Sequence, residues 1–424
     1  MPRSPAGSKA AARPKNGTPG EIRLLHTADW HLDRYFPGLG DNAPVRRREV
    51  GRTVGRIVDL AIERKVGALL VCGDVFDQPQ ARSLRWVQGQ LSRLADVGIR
   101  VLVIPGNHDP LPDCRAWSQG VSWPANVTVL VEEAPVSFPE LPDVVFQAAP
   151  FRRADAAKSP LRALEAVGAC PAGRQTDQDA EAEEAVAAAE AETAGGDAPA
   201  FRVALVHGQY RLAENIGENY GPIEPDEVEQ SGFHYVALGH SHSFLDCSRG
   251  RTKAFYPGSP ARLDFGDQAE RRVLLVTLAR GANGDGVGVK VGVESIPLED
   301  RRFVFIEKTT AAVSTGSDAL YRELDELAAT SPEAVVRVRL SGVTDGEALS
   351  LARDLEERYG GGAFFAFQVE DRTELRPALR PGDQTVLGAF VRRMEQNSAG
   401  KLPPDLVKLA YTLGVTALRG GKLG

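Results

Sequence analysis

From residue 21 onward the chain alternates two patterns. Short runs that are apolar at nearly every position, "IRLLH" (22–26), "GALLVC" (67–72), "VLVIPG" (101–106), "VVFQAAP" (144–150), "RVALVH" (202–207) and "YVALG" (235–239), read as strands buried on both faces. Between the first three lie "RRREVGRTVGRIVDLAIERK" and "RSLRWVQGQLSRLADVG", each with an apolar stripe at helical spacing. Strand–helix–strand alternation implies an α/β layered domain. After "RRVLLVTLAR" and "VGVKVGVESIPLE" that domain is complete, so it is expected over 21–298.

A second α/β unit is expected over 299–372. "RRFVFIEKT", "AVVRVRL" and "AFFAFQVE" read as strands, separated by the helical "SDALYRELDELAATS" and "DGEALSLARDLEERYGGG". The remainder, 373–424, holds a proline-rich joint and two expected helices, around 384–396 and 404–418. Leu406, Leu409, Ala410, Leu413 and Leu418 give the last one apolar residues on overlapping faces. Two segments fall outside the alternation. Residues 1–20, basic and rich in Pro, Gly and Ala with no apolar h-region, read as a disordered tail and not a signal peptide. Residues 171–199, rich in Ala and Glu with no apolar stripe, read as a flexible acidic insertion.

Composition adds limits. The 424 residues are 42% apolar and 25% charged, as in globular proteins, with room for two or three domains. No apolar run reaches about 18 residues, so no membrane span is expected. Cys72, Cys114, Cys170 and Cys247 show no C-x-x-C spacing and read as reduced thiols of a cytoplasmic protein. The net charge of -7 does not favour a general nucleic-acid binder. Residues 177–197 alone carry eight acidic residues and no basic one, however, and without them the balance is +1. Local basic patches can therefore decide what the folded part binds.

Five of the seven histidines sit in short polar motifs at the ends of expected strands, where open α/β sheets bind ligands. "ADWH" supplies Asp29 and His31, "CGDVFD" Asp74 and Asp77, and "PGNHD" Asn107, His108 and Asp109. "VHGQ" supplies His207, and "LGHSH" His240 and His242. In extended chain, residues two apart face one side, so Asp29 with His31, and His240 with His242, are expected to reach common or adjacent ions. Imidazole, carboxylate and one amide oxygen, with no thiolate, suit manganese, iron or zinc. Two such ions about 3.5–4 Å apart form a clamp used in phosphate ester cleavage. His26 and His234 read as satisfied structural groups.

The ordered set D-x-H, GDxxD, GNHD, HG and GHSH resembles the calcineurin-like metallophosphoesterase superfamily. Within it, "HTADWHLD", "GDVFD", "PGNHD", "GHSH" and "YPGSPAR" (256–262) are similar to the blocks of SbcD-type DNA repair exonucleases. The resemblance covers 21–275 by motif and reaches about residue 370 by architecture. It implies a layered metallophosphoesterase sandwich, a smaller α/β capping domain and a C-terminal helical tail. The "GDYVDRG" and "GNHE" blocks of the serine/threonine phosphatase branch are absent. The acidic insertion at 171–199 departs from the family pattern.

By the same resemblance, Asp29, His31 and His242 correspond to the ligands of a first metal. Asn107, His207 and His240 correspond to those of a second, and Asp74 to the carboxylate that bridges them. His108 is similar to the histidine that acts on the leaving group, with Asp109 expected to orient its ring. Asp77 is open between ligation and a hydrogen bond behind the ligands. The implied activity is a two-metal-dependent DNA phosphodiesterase in DNA repair, an exonuclease with endonuclease activity as a further expectation. Two divalent ions, with manganese expected, are the implied cofactors. Implied partners are DNA and an SMC-like ATPase of the SbcC type, docked on the helical tail, with a homodimer as a further expectation. A tail helix buried in the chain's own core is an equal reading. Arg46, Arg47 and Arg48 of "RRREVGR", with Arg152 and Arg153, are candidate phosphate contacts, against the plainer reading of a basic face with no partner. Two rivals stand beside this reading. A small-molecule or nucleotide phosphoesterase has no need of a capping domain, and a non-enzymatic scaffold would lack ligands that are all present.

Overall fold

The computed structural model describes residues 21–118, 120–168, 201–212, 220–266, 269–283, 286–309, 317–344, 349–375, 384–398 and 404–418. The expectations for 1–20 and 171–199 lie outside the described residues. The chain divides into two compact units.

In chain order the strands of the first unit are β1 (Glu21–Thr27), β2 (Ala68–Cys72), β3 (Arg100–Ile104), β4 (Val127–Val129), β5 (Val136–Phe138), β6 (Leu141–Ala149) and β7 (Phe201–His207). They continue with β8 (Gln209–Tyr210), β9 (Pro222–Ile223), β10 (Tyr235–Gly239), β11 (Leu245–Asp246), β12 (Lys253–Tyr256), β13 (Arg271–Asn283) and β14 (Gly286–Leu298). One six-stranded sheet runs β14-β13-β1-β2-β3-β4 and the other β11-β12-β10-β7-β6-β5. β1 to β4 are mutually parallel, with helix α1 (Ala43–Glu63) crossing from β1 to β2 and α2 (Ala81–Ala95) from β2 to β3. β13 returns antiparallel beside β1. Leu24, Leu70, Leu102 and Leu274 of one sheet and Phe146, Phe201, Leu205 and Tyr235 of the other fill a shared core between them. All eight are almost wholly buried. Each such side chain contributes about 1.5–3 kcal/mol of burial energy.

His26 lies in this core and is satisfied there. Its Nε2 donates to the carbonyl of Leu238 (3.1 Å) and its Nδ1 accepts from the Tyr235 hydroxyl (2.8 Å). Burial pushes its pKa down to about 3, so the ring stays neutral. His234 likewise accepts from the Arg202 amide at 2.9 Å.

The second unit is a parallel sheet of β15 (Phe303–Thr309), β16 (Val335–Thr344) and β17 (Ala366–Leu375). Helices Ser317–Thr330 and Leu349–Tyr359 pack on one face through Leu320, Leu324, Leu355 and Tyr359 against Val336 and Val338. Two stretches that the linear reading kept in the first domain, Phe36–Pro44 and Asp264–Gln268, belong to this unit. Asn42 donates to the carbonyl of Phe365 and Gln368 to that of Gly38, while Phe265 packs on Phe303 at 5.1 Å between ring centres. Helices Val386–Ser398 and Pro404–Leu418 pack on each other through Val391, Tyr411 and Val415. Leu406, Leu409 and Leu413 remain exposed. Among the described residues no helix is long and apolar enough to cross a membrane. The strands that the sequence pattern did not reveal, β4, β5, β8, β9, β11 and β12, are two to four residues long, too short to show a period.

Arg46 departs from its expected role. It is buried, its Nη1 lies 2.8 Å from Asp300 Oδ1 and its Nη2 donates to the carbonyl of Arg262 at 2.8 Å. A guanidinium enclosed in this way holds the chain together and offers no surface to a phosphate. Arg46→Ala would leave the Asp300 carboxylate buried and unpaired. A loss of about 3–5 kcal/mol in unfolding free energy is expected from the denaturant midpoint. Arg48→Ala, on the exposed face of α1, should change it by no more than about 0.5 kcal/mol.

Candidate metal centre

The polar motifs all leave the carboxyl ends of central strands. Asp29 and His31 follow β1, Asp74 follows β2, and Asn107, His108 and Asp109 follow β3. His207 ends β7, and His240 and His242 follow β10. These loops are not extended, contrary to the alternation argument. Asp29, His31, Asp74 and His240 have φ of 54°, 46°, 52° and 111°, in the left-handed region. Such conformations cost about 1–3 kcal/mol each and persist where the surroundings impose them. Here the amides of Asp29 and His31 donate to the carbonyls of Gly73 (3.1 Å) and Asp74 (2.9 Å), which locks the two loops edge to edge.

The result is convergence. Asp29, His31 and His242 each offer a ligand atom within 4.8 Å of the others, as do Asp29, Asp74 and His207. Asp74 Oδ2 lies 3.6 Å from His31 Nε2 and 3.5 Å from His207 Nε2. His31 and His242 face each other through their Nε2 atoms at 3.0 Å. Asn107 Oδ1 stands 2.9 Å from His207 Nε2 and 2.8 Å from His240 Nδ1.

The proton positions follow from the outer contacts. His31 Nδ1 lies 2.5 Å from Asp77 Oδ1, and His207 Nδ1 lies 2.9 Å from the carbonyl of Cys72. Both outer partners accept only, so both Nδ1 atoms carry hydrogen and the Nε2 atoms are the ones turned to the centre. Around His207, Asn107 Oδ1 and Asp74 Oδ2 both face Nε2. Burial pushes Asp29 well up, with the Asp74 charge adding to it. On Asp74 burial acts the same way, but the rings of His207, His31 and His108 outweigh it and hold the carboxyl below its usual range. Burial, followed by His207, brings His240 down to about 3. Imidazole nitrogens around a shared carboxylate are a donor set that fits divalent cations.

His108 is half-exposed, and its Nδ1 lies 3.1 Å from Asp77 Oδ1. Its hydrogen bond to the Asp77 carboxylate outweighs partial burial and raises its pKa. Asp109 was expected to orient this ring and does not. It is buried, and its carboxylate accepts from the amides of Gly106 (2.7 Å), Val75 (2.8 Å) and Phe76 (3.1 Å). Asp109 thus ties the loop after β3 to the loop after β2, and Asp77 takes the orienting place for both His31 and His108.

A calcineurin-like phosphoesterase superfamily domain matches residues 22–281. The chain belongs to this superfamily. Among its curated relatives, the uncharacterized metallophosphoesterase YhaO of Bacillus subtilis is 28% identical over 268 residues, 62% of this chain and 58% of that one. The SbcD component of the nuclease SbcCD from the same organism is 25% identical over 273 residues, 61% and 66% of the two chains. The DNA double-strand break repair protein Mre11 of Methanosarcina mazei is 23% identical over 419 residues, 92% and 57%. The chain spans less than two thirds of the length of each.

Around this candidate centre, two residues escaped the sequence reading. Ser259 donates to the carbonyl of Asp29 at 2.8 Å; its signal was the "YPGSPAR" block, which marks no single residue by itself. Tyr220, half-exposed, sets its ring 5.9 Å from that of His240 and had no signal in the sequence. Of the arginines, Arg48 is exposed and Arg47 half-buried. Arg152 pairs with Glu133, and Arg153 with Asp113 at 2.8 Å.

The Asp77 assignment has a spectroscopic test. In Asp77→Asn the ring of His108, followed by NMR, should titrate at lower pH, because the carboxylate that favours its charged form is gone. Asp109→Asn should leave that titration in place. The opposite ranking would return the orienting role to Asp109.

Proposed function

We propose that this chain is a two-metal-dependent DNA phosphodiesterase, an exonuclease with endonuclease activity at the same centre, acting in DNA repair beside an SMC-like ATPase. The observation that carries the reading is the position of Asp74 Oδ2, 3.6 Å from His31 and 3.5 Å from His207, between two sets of donors. In this reading Asp29, His31 and His242 hold one ion, Asn107, His207 and His240 hold the other, and Asp74 serves both. Manganese suits the mixed oxygen and imidazole donors. Two bound divalent ions would supply the charge that grips a scissile phosphate and activates water near neutral pH.

The remaining chemistry belongs to the chain. Asp77 holds His108 by Nδ1, favours the charged form of its ring and leaves Nε2 to donate a proton to the departing oxygen. Half-exposed, His108 can meet a substrate that the buried groups cannot. DNA is preferred over a small molecule because one relative is named as a nuclease subunit and another as a DNA double-strand break repair protein. Arg47, Arg48, Arg152 and Arg153 remain as phosphate contacts, and Arg46 leaves the set. Cys72, Cys114 and Cys247 are free thiols, which accords with a cytoplasmic setting.

The test is cleavage of end-labelled single-stranded and duplex DNA with manganese, magnesium or EDTA. Asp74→Asn should lose most activity and carry fewer ions. His108→Ala should keep its ions and turn over about 10²–10⁴-fold more slowly. Metal loss in His108→Ala equal to that in His207→Ala would make His108 a ligand. Hydrolysis of a chromogenic phosphodiester with no cleavage of DNA would favour the small-molecule reading.

In this reading the ATPase binds the outer face of helix Pro404–Leu418, where Leu406, Leu409 and Leu413 are exposed while Tyr411 and Val415 pack inward. A helix with an exposed apolar face of this kind fits a partner's groove. Leu409→Asp with Leu413→Asp should abolish co-purification with the ATPase and leave the melting temperature unchanged. Retained co-purification would move the contact to another surface.

A further inference from the structure

The second unit carries an open cleft of about 750 Å³ on the sheet face opposite its helices, lined by Phe265, Arg302, Phe303, Phe305, Arg337 and Arg339 among others. Strand register sets the row. Phe305 of β15 stands beside Arg337 of β16, which stands beside Gln368 of β17. Two guanidiniums are stacked on rings, Arg337 over Phe265 at 4.2 Å and Arg339 over Phe305 at 4.7 Å. Stacking fixes a guanidinium plane and leaves its edge for an oxyanion.

Charge in the cleft is unbalanced. Arg337 donates through Nε (3.0 Å) and Nη2 (2.8 Å) to the neutral Oε1 of Gln368. The Gln368 amide is itself aimed by its donation to the carbonyl of Gly38. Among the described residues no carboxylate lies within ion-pair distance of Arg337, although partial burial disfavours its charge and lowers its pKa. Nη1 and one hydrogen on Nη2 are left over. Glu370 serves both Arg339 (2.9 Å) and Arg372 (2.5 Å), and Glu307 stands 4.0 Å from Arg339. Asp264, the one acid in the lining, accepts from the amide of Gly266 at 2.8 Å. Arg302 is exposed at the mouth. The cleft thus combines surplus cationic donors with phenyl rings in a space larger than a lone phosphate needs.

We propose that this cleft binds a nucleotide unit, its phosphate on Arg302 and Arg337 and its base against Phe305, offered as a free nucleotide or as part of a single strand. An acidic peptide would use the arginines but not the rings. The choice of nucleotide deepens the DNA-directed reading and rests on it; the binding itself requires no metal.

The experiment uses the full chain in EDTA, so binding is read without hydrolysis and stands apart from any failure of the nuclease assay. Anisotropy of a labelled oligo(dT) of about 15 nucleotides is followed against salt. Phe305→Ala should weaken binding about tenfold, the scale of one lost stacking contact. Arg337→Gln and Arg302→Ala should each lower the salt slope by about 0.7. Arg353→Ala, exposed on the helix Leu349–Tyr359, is the control and should change neither. Competition by millimolar dTMP would identify the free nucleotide as a ligand, and binding of the oligonucleotide alone would identify the strand; either supports the cleft. Should Arg337→Gln fail to fold, Arg302→Ala at the exposed mouth decides. Wild-type affinity and salt slope in Arg302→Ala together with wild-type affinity in Phe305→Ala would overturn the proposal, as would displacement of the oligonucleotide by poly-glutamate but not by dTMP.

Discussion

The hydrogen bond from His207 Nδ1 to the carbonyl of Cys72, 2.9 Å long, joins the ends of the two sheets at the point where all the polar loops emerge. β7 belongs to one sheet and β2 to the other, so this single contact requires the sheets to close more tightly than side chains normally allow. A Cβ at Gly239 would lie 1.7 Å from the Cys72 oxygen, and one at Gly73 would lie 2.1 Å from His207 Nδ1. Only glycine fits at either place. Were the sheets held apart by one methyl group there, Asp74 would no longer lie within reach of His207, and the two donor sets would have no shared carboxylate.

That closure concentrates lone pairs. Asp29, Asp74 and the Nε2 atoms of His31 and His207 are brought together in a setting from which water is largely excluded. Burial and the Asp74 charge push Asp29 up, while burial brings His207 down. Folding therefore assembles a centre that is unfavourable on its own, and the left-handed φ angles of Asp29, His31, Asp74 and His240 add backbone strain to it. The hydrophobic core between the sheets supplies the excess stability that makes such a centre tolerable. A bound cation would turn the same crowding into affinity.

The arginines sort by the company they keep. Arg46 is enclosed with Asp300 and is part of the scaffold. Arg56, Arg93 and Arg280 meet single surface carboxylates, an arrangement that contributes little to stability. Arg337 differs from all of these, because its partner is a neutral amide and its plane is covered by a ring. A protein with a net charge of -7 can thus carry local cationic surfaces, since sequence totals do not report which charges are already neutralised.

Much of the fold was legible in the sequence because central strands buried on both faces leave uninterrupted apolar runs and crossover helices leave stripes; β1, β2, β3, β7, β10, α1 and α2 all show them. The residues of the centre could be named because metal-type side chains are scarce and stand in short motifs at strand ends. Their arrangement could not be named. Asp29 and His31 approach one another through left-handed turns, where alternation along an extended strand has no meaning. Asp77 and Asp109 are indistinguishable as letters beside a histidine motif, and only the fold turns one toward His108 and the other toward three backbone amides. Likewise, the second unit claims residues 36–44 and 264–268 through contacts with partners more than 30 positions away. Local sequence determined elements and chemistry, because propensity and side-chain type are local properties. Orientation, pairing and domain membership were decided by tertiary structure, because they depend on which distant groups compete for the same hydrogen bonds and the same buried space.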